Sequence, residues 1–191
     1  LADHEITTDK GLLERAAQGD EAAFRQLYER HRDAVFRFAY RLLGGVEAAE
    51  DVTHDCFISL LERSHAFDPT RATLRTYLLA AARHLTYKRF RREGREDLFD
   101  EPADAALLTE FANPLSRLLA AETAEAVQRA VLELPPLQRE ALILFEYEEL
   151  SLAEIAAVTG VDANAVKARL HRARQGLKRA LAPFWQGAAL V

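Results

Sequence analysis

The chain has a single cysteine, Cys56, which excludes an internal disulfide framework and fits a reducing compartment. It has no apolar run near the roughly 20 residues a membrane-spanning helix needs. Its first residues carry no signal-peptide pattern, so the expectation is a cytoplasmic protein without membrane insertion. Alternating strand-like segments are missing, as are Asn-Gly and Asp-Gly hairpin pairs, which removes the usual signals for β-structure. No cluster of His, Cys, Asp and Glu has metal-ligand spacing, and no nucleophile stands beside a base. The chain therefore reads as a non-enzyme, with no catalytic residue, no metal and no cofactor expected. His54 and Cys56 are two positions apart on one helical segment, so they face different ways and cannot readily share a metal. Cys56 falls on an apolar stripe, where a free cysteine acts as a small core residue.

One further absence is local. From Ala163 to Val191 there is no Asp or Glu, although the 191-residue chain carries a net charge of -5. The segment just before and into this stretch, SLAEIAAVTGVDANAVKARLHRARQGLKR, reads as two helices joined by a tight turn. Ser151 and Glu154 make an S-x-x-E capping box, and Gly160 stands where a chain leaving a helix takes a left-handed residue. Asp162 is a suitable N-cap for the second helix, its carboxylate favoured by the positive helix end. Val166, Leu170, Ala173 and Leu177 recur at helical spacing and are expected inward. That turns Lys167, Arg169, Arg172, Arg174, Lys178 and Arg179 outward. Cations segregated onto one helix-turn-helix of an acidic chain are an electrostatic footprint for a polyanion, duplex DNA above all. The start of the second helix would read base edges. Asn164, Lys167, Ala168, Arg169, His171 and Arg172 are the candidates.

The rest of the chain is also helical in pattern. Hydrophobic content of 49% supplies a core, and Ala, Leu, Glu and Arg favour helices. The expected fold class is all-α, with two small helical domains joined by an acidic linker. In the first group, Phe24, Leu27, Tyr28, His31, Val35, Phe38 and Leu42 form a stripe that ends at Gly44-Gly45. A helix from about Glu47 to Arg63 follows, with Val52, Cys56, Phe57, Leu60 and Leu61 inward. Asp68-Pro69 breaks the chain, and the next helix buries Leu74, Tyr77, Leu78, Ala81 and Leu85. The stretch from Glu96 to Glu110 has no Lys or Arg and reads as a tether. Helical pattern resumes near Pro114, breaks at Pro135-Pro136, and continues as a helix from Leu137 to about Tyr147. The expected boundaries are 1–95, a linker at 96–113, a second domain at 114–182 and a tail at 183–191.

The helix after Asp68-Pro69 ends in ARHLTYKRFRREGR, a second basic surface. Arg83, Lys88, Arg89, Arg91, Arg92 and Arg95 are interleaved there with His84, Tyr87 and Phe90. Cations answer phosphates and aromatics answer unstacked bases, a combination suited to opened nucleic acid. Alternatively the cations complement their own helix end, with Tyr87 and Phe90 at the core edge. The helix bearing Glu47, Glu50, Asp51, Asp55 and Glu62 has an acidic face instead, fitting either a basic protein partner or plain solvation.

Three blocks together, AEDVTHDCFISLLE, FDPTRATLRTYLLAAARHLTYKRFRR and LPPLQREALILFEYEELSLAEIAAVTGVDANAVKARLHRARQGLKRAL, resemble bacterial RNA polymerase sigma factors. The compact two-domain form resembles their extracytoplasmic-function (ECF) group, from about Leu12 to Leu181. The resemblance implies an alternative sigma factor that directs promoter-specific initiation. Glu50, Asp51, His54 and Asp55 would dock on the β′ coiled coil of core RNA polymerase. Asp68, Thr70, Arg71, Arg83, His84, Tyr87, Lys88, Arg91 and Arg92 would recognise and melt the promoter −10 element. The C-terminal domain would bind the β flap and set its recognition helix on the −35 element of promoter DNA. An anti-sigma factor is a further implied partner. Departures from the family pattern include His54, Leu61, Tyr77, Phe145 and the run Asn164-Ala165-Val166-Lys167-Ala168-Arg169. A free-standing helix-turn-helix regulator is the alternative.

Overall fold

A computed structural model describes residues 8–94 and 121–188, with side chains from 8 to 94 and from 125 to 182. The expected linker at 96–113, the helical restart near Pro114 and Arg95 lie outside the described residues. The chain divides into two compact units. One is built on residues up to Arg89, and the other on residues from Phe90 together with Arg41–Gly44. Every described element is helical.

The first unit opens with α1 (Asp9–Ala17), capped by the Thr8 hydroxyl, which accepts the Gly11 N–H at 3.2 Å. Asp20 starts α2 (Glu21–Leu43) by accepting the Ala23 N–H at 3.0 Å. Its other oxygen takes the Arg15 guanidinium at 2.6 Å. The Ala23 N–H and then the Arg15 guanidinium hold the Asp20 carboxyl below its ordinary value. Asp9 ties α1 to α2, meeting Arg30 at 2.5 Å and His31 at 3.0 Å. Helix α3 (Val46–Glu62) buries Val52, Cys56, Phe57 and Leu60, as the spacing predicts, while Leu61 is only partly covered. Phe57 sits edge-on to Tyr28 at 4.8 Å and to Phe24 at 6.4 Å. Such aromatic pairs add to the burial itself.

Helix α4 (Leu74–Arg92) departs from expectation. Leu74 and Leu78 are buried as predicted, but Tyr77, Ala81 and Leu85 are only partly so. Thr76, Leu79, Ala82, Thr86, Tyr87 and Phe90 are buried instead. The run LRTYLLAAA is apolar almost all the way round, so its period does not say which side faces the core.

The second unit contains α5 (Ala121–Glu133), α6 (Pro136–Leu142), α7 (Leu152–Thr159) and α8 (Ala163–Ala188). Ala126, Val127, Ala130, Val131 and Leu134 pack with Leu142 against Ala173, Leu177 and Leu181 of α8. A Cβ on Gly176 would stand 2.8 Å from the Leu134 side chain, so the absent side chain permits a close approach here. Buried Arg139 donates to the Leu134 carbonyl at 2.9 Å and to the Leu132 carbonyl, satisfying orphan acceptors at the end of α5. The single helix expected from Leu137 to Tyr147 is two pieces. Beyond Leu142 the backbone widens into a π-turn over Ile143–Tyr147, where the Glu148 N–H reaches Ile143 at 3.1 Å. Glu149 then adopts the left-handed region at φ 55. The apolar run LILFEY holds no Gly or Pro to mark that change. The tail expected to begin at 183 instead continues α8 as far as Ala188.

Candidate nucleic-acid interface

The turn between α7 and α8 is built as the residues dictate. The Ser151 hydroxyl accepts the Glu154 N–H at 3.3 Å, and the Glu154 carboxylate accepts the Ser151 N–H at 2.9 Å. Gly160 takes φ 73, which costs an ordinary L-residue about 1–2 kcal/mol. Asp162 Oδ1 accepts the Asn164 and Ala165 N–H groups at 2.8 and 2.9 Å. Two capped helices are thereby fixed at a short turn, with α8 presenting its first turns.

Val166, Leu170 and Ala173 are fully buried and Leu177 nearly so. Asn164 is therefore exposed, and Lys167, Ala168, His171 and Arg172 are partly exposed. Residues 164, 168, 171 and 175 share one face by helical spacing. Gln175, which the sequence reading missed, lies 3.0 Å from the His171 Nε2. Its signal was its spacing, four residues after His171. Arg169 requires a correction. It is only 5% exposed, because its position turns it towards the Val166–Ala173 side, and it leaves the accessible set. Arg174 is held by Glu146 at 2.7 Å.

In the first unit, the loop before α4 is internally ordered. Asp68 Oδ1 accepts the Thr70 hydroxyl at 2.7 Å and the Thr70 N–H at 2.9 Å, and these bonds hold its carboxyl below its ordinary value. Thr73 caps α4 by accepting the Thr76 N–H at 3.1 Å. Phe67 meets Tyr77 edge-on at 5.6 Å, joining the loop to the outer face of the helix. Along that face His84, Lys88, Arg91 and Arg92 are exposed, as are Asp68, Thr70 and Arg71 in the loop. Tyr87 is the second correction. It is 6% exposed and Phe90 is 1% exposed, so neither offers an open ring for stacking on a base. Arg83 lies over the Tyr87 ring at 4.6 Å, a cation–π contact. Both rings were expected at a basic surface from their neighbours in sequence, but the packing of α4 turns them to its buried side.

The acidic face of α3 is real. Glu50, Asp51, His54 and Asp55 are exposed, together with Ile58 at 45% exposure. Asp51 meets Arg89 of α4 at 3.2 Å, an exposed pair of small energetic weight. Among the described residues, no group of three His, Cys, Asp or Glu could hold a metal. Nor is any helix there long and apolar enough to cross a membrane.

Comparison with known proteins adds to this geometry. The family model of sigma-70 region 2 matches residues 27–96, and that of sigma-70 region 4 matches residues 124–177. The chain is 29% identical to the ECF RNA polymerase sigma factor SigW of Bacillus subtilis, over 90% of this chain and 96% of SigW. It is 31% identical to the ECF sigma factor SigM of Mycobacterium tuberculosis H37Rv, over 91% of this chain and 85% of SigM. Among solved structures, CnrH in complex with the cytosolic domain of CnrY matches with TM-score 0.65 and 27% identity. That match covers 92% of this chain and 97% of CnrH. RpoE in complex with the anti-sigma factor NepR from Bartonella quintana matches with TM-score 0.65 and 25% identity, covering 83% and 96%.

Proposed function

Since the chain belongs to the sigma-70 family, in its ECF group, we propose an assignment of its surfaces within promoter-specific transcription initiation. The protein is an alternative sigma factor, a non-enzymatic subunit that binds core RNA polymerase and directs it to promoters. The observation that carries the surface assignment is the pair of basic faces. One lies on α4 and one on α8, each within its own matched region.

On α8, Asn164, Lys167, Ala168, His171 and Arg172 read the −35 element, with Gln175 on the same face. Cations there meet phosphates and the polar side chains meet base edges. On α4, His84, Lys88, Arg91 and Arg92 follow the −10 strand. The ordered loop with Asp68, Thr70 and Arg71 holds a base taken out of the stack, offsetting part of the few kcal/mol that flipping requires. Glu50, Asp51, His54 and Asp55 dock on the β′ coiled coil, and the second domain binds the β flap. Residues 1–95 form the docking and melting domain, 96–113 the tether and 114–182 the −35 domain. An anti-sigma factor is part of the same proposal, supported by the similar RpoE solved in complex with the anti-sigma factor NepR. On this reading the protein works in the cytoplasm, where polymerase and promoter are.

Purified chain and core polymerase together should start transcripts at discrete cognate promoters. If the chain binds operator DNA tightly alone and leaves core polymerase inert, the protein is a free-standing regulator and the surface assignment falls.

A further inference from the structure

Glu146 lies in the π-turn that follows α6. One inserted residue rotates all that follows by about 100° around the helix axis, so the side chains of this turn do not continue the face of α6. Here Phe145 and Glu146 both meet Arg174 of α8. Glu146 Oε1 accepts from Arg174 Nη2 at 2.7 Å, and the guanidinium carbon stands 5.3 Å from the Phe145 ring centre. The two charged side chains are only 19% and 16% exposed. Arg174 follows Lys167 by seven residues and precedes Lys178 by four, which places all three on one stripe of α8. A cation on the stripe that faces DNA is thus matched by a carboxylate of the protein itself.

We propose that Glu146 withholds Arg174 from DNA phosphates, setting the sequence-independent affinity of the recognition helix below what its cations alone would give. The proposal rests on the reading of α8 as the helix that meets duplex DNA. Each phosphate neutralised by a cation releases counterions and steepens the salt dependence of log K by about 0.9. Withholding one cation lowers non-specific affinity about fivefold at about 0.15 M salt. A promoter competes with a vast excess of other duplex, so weaker non-specific binding raises the effective specificity. An Arg174 held ready for phosphate would have the opposite signature, since loss of Glu146 would then weaken binding.

The test is titration of the full chain with a random-sequence duplex across a range of salt concentrations. Glu146→Gln keeps the shape and an acceptor while removing the charge, and Glu146→Ala serves as a second variant. Both should bind about fivefold tighter than wild type, with a slope steeper by about 0.9. Arg174→Ala should keep the wild-type slope, and Glu146→Gln in that background should gain no slope. Exposed Glu149, changed to Gln, controls for net charge and should gain less. Equal or weaker binding by the Glu146 variants overturns the proposal, as does an equal gain from Glu149→Gln or a gain that survives Arg174→Ala. Failure to bind at the lowest salt by wild type and Glu146→Gln alike overturns it too. Lys167→Ala and Arg172→Ala, run alongside, should flatten the slope. If they do so while Glu146→Gln has no effect, this inference alone falls; if they leave slope and transcription unchanged, the reading of α8 falls with it.

Discussion

Cys56 and His31 are each buried in the first unit, and burial acts on them in opposite directions. Removal from water, with a smaller push from Asp55, raises the Cys56 thiol to about 12. The folded protein keeps it neutral, whereas the unfolded chain ionises it from its ordinary 9.0. Its contribution to stability is therefore complete below pH 9.0 and declines as pH rises towards 12. At neutral pH an alkylating reagent should label the native thiol only through opening of the fold. Prompt stoichiometric labelling without denaturant would show that the side chain is not where the structure puts it. His31 is held below its ordinary 6.5, because burial outweighs the Asp9 carboxylate beside it, with Arg30 and Arg75 adding repulsion. The unfolded chain takes up a proton below pH 6.5 that the folded one resists, so stability is present above that pH and lost as pH falls. Urea midpoints of wild type and His31→Gln should diverge between pH 7.5 and pH 5.5, with wild type falling more; parallel curves would refute this.

At the scale of the element, the helix-turn-helix depends on its own caps and turn. Ser151→Ala removes one acceptor of the capping box and should destabilise by about 1 kcal/mol. Gly160→Ala forces a side chain into the left-handed region and should destabilise by about 1–2 kcal/mol. Denaturant midpoints at neutral pH measure both, and a neutral Gly160→Ala would mean that the turn relaxes freely. Arg139 sustains the end of α5 in the same way. Arg139→Ala leaves buried carbonyls without their donor and should destabilise by about 1–3 kcal/mol. The caps were legible in the sequence because hydrogen-bonding side chains at fixed offsets satisfy backbone groups only at helix ends. Arg139 was not, because a long side chain reaches acceptors on a different element.

For the whole molecule, the division of labour between α4 and α8 is the testable feature. Lys88→Ala and Arg91→Ala should weaken promoter binding by the polymerase complex nearly uniformly across sequences and lower its salt slope by about 1 each. Asn164→Ala or His171→Ala should weaken selection at the −35 element by about 1–3 kcal/mol. Start-site mapping on promoters altered in one element at a time separates the two effects. A sequence-dependent loss from Lys88→Ala would place a base contact on α4.

The all-α class, the acidic face of α3, the turn before α8 and the segregation of charge were all determined by the sequence. Each depends on period, capping chemistry or local charge, which are properties of neighbours along the chain. Which face of α4 lies inward, and with it the burial of Tyr87 and Phe90, was decided only by the tertiary structure. An apolar run leaves several faces equally able to pack, and the surrounding helices choose among them. The same holds for Arg169 and Arg174 on α8. Both read as DNA-facing cations in a basic run, yet one is buried and the other is matched by Glu146 from a π-turn that no residue pattern announces. Charge along a chain shows how many cations a helix carries, but packing decides how many of them a polyanion can reach.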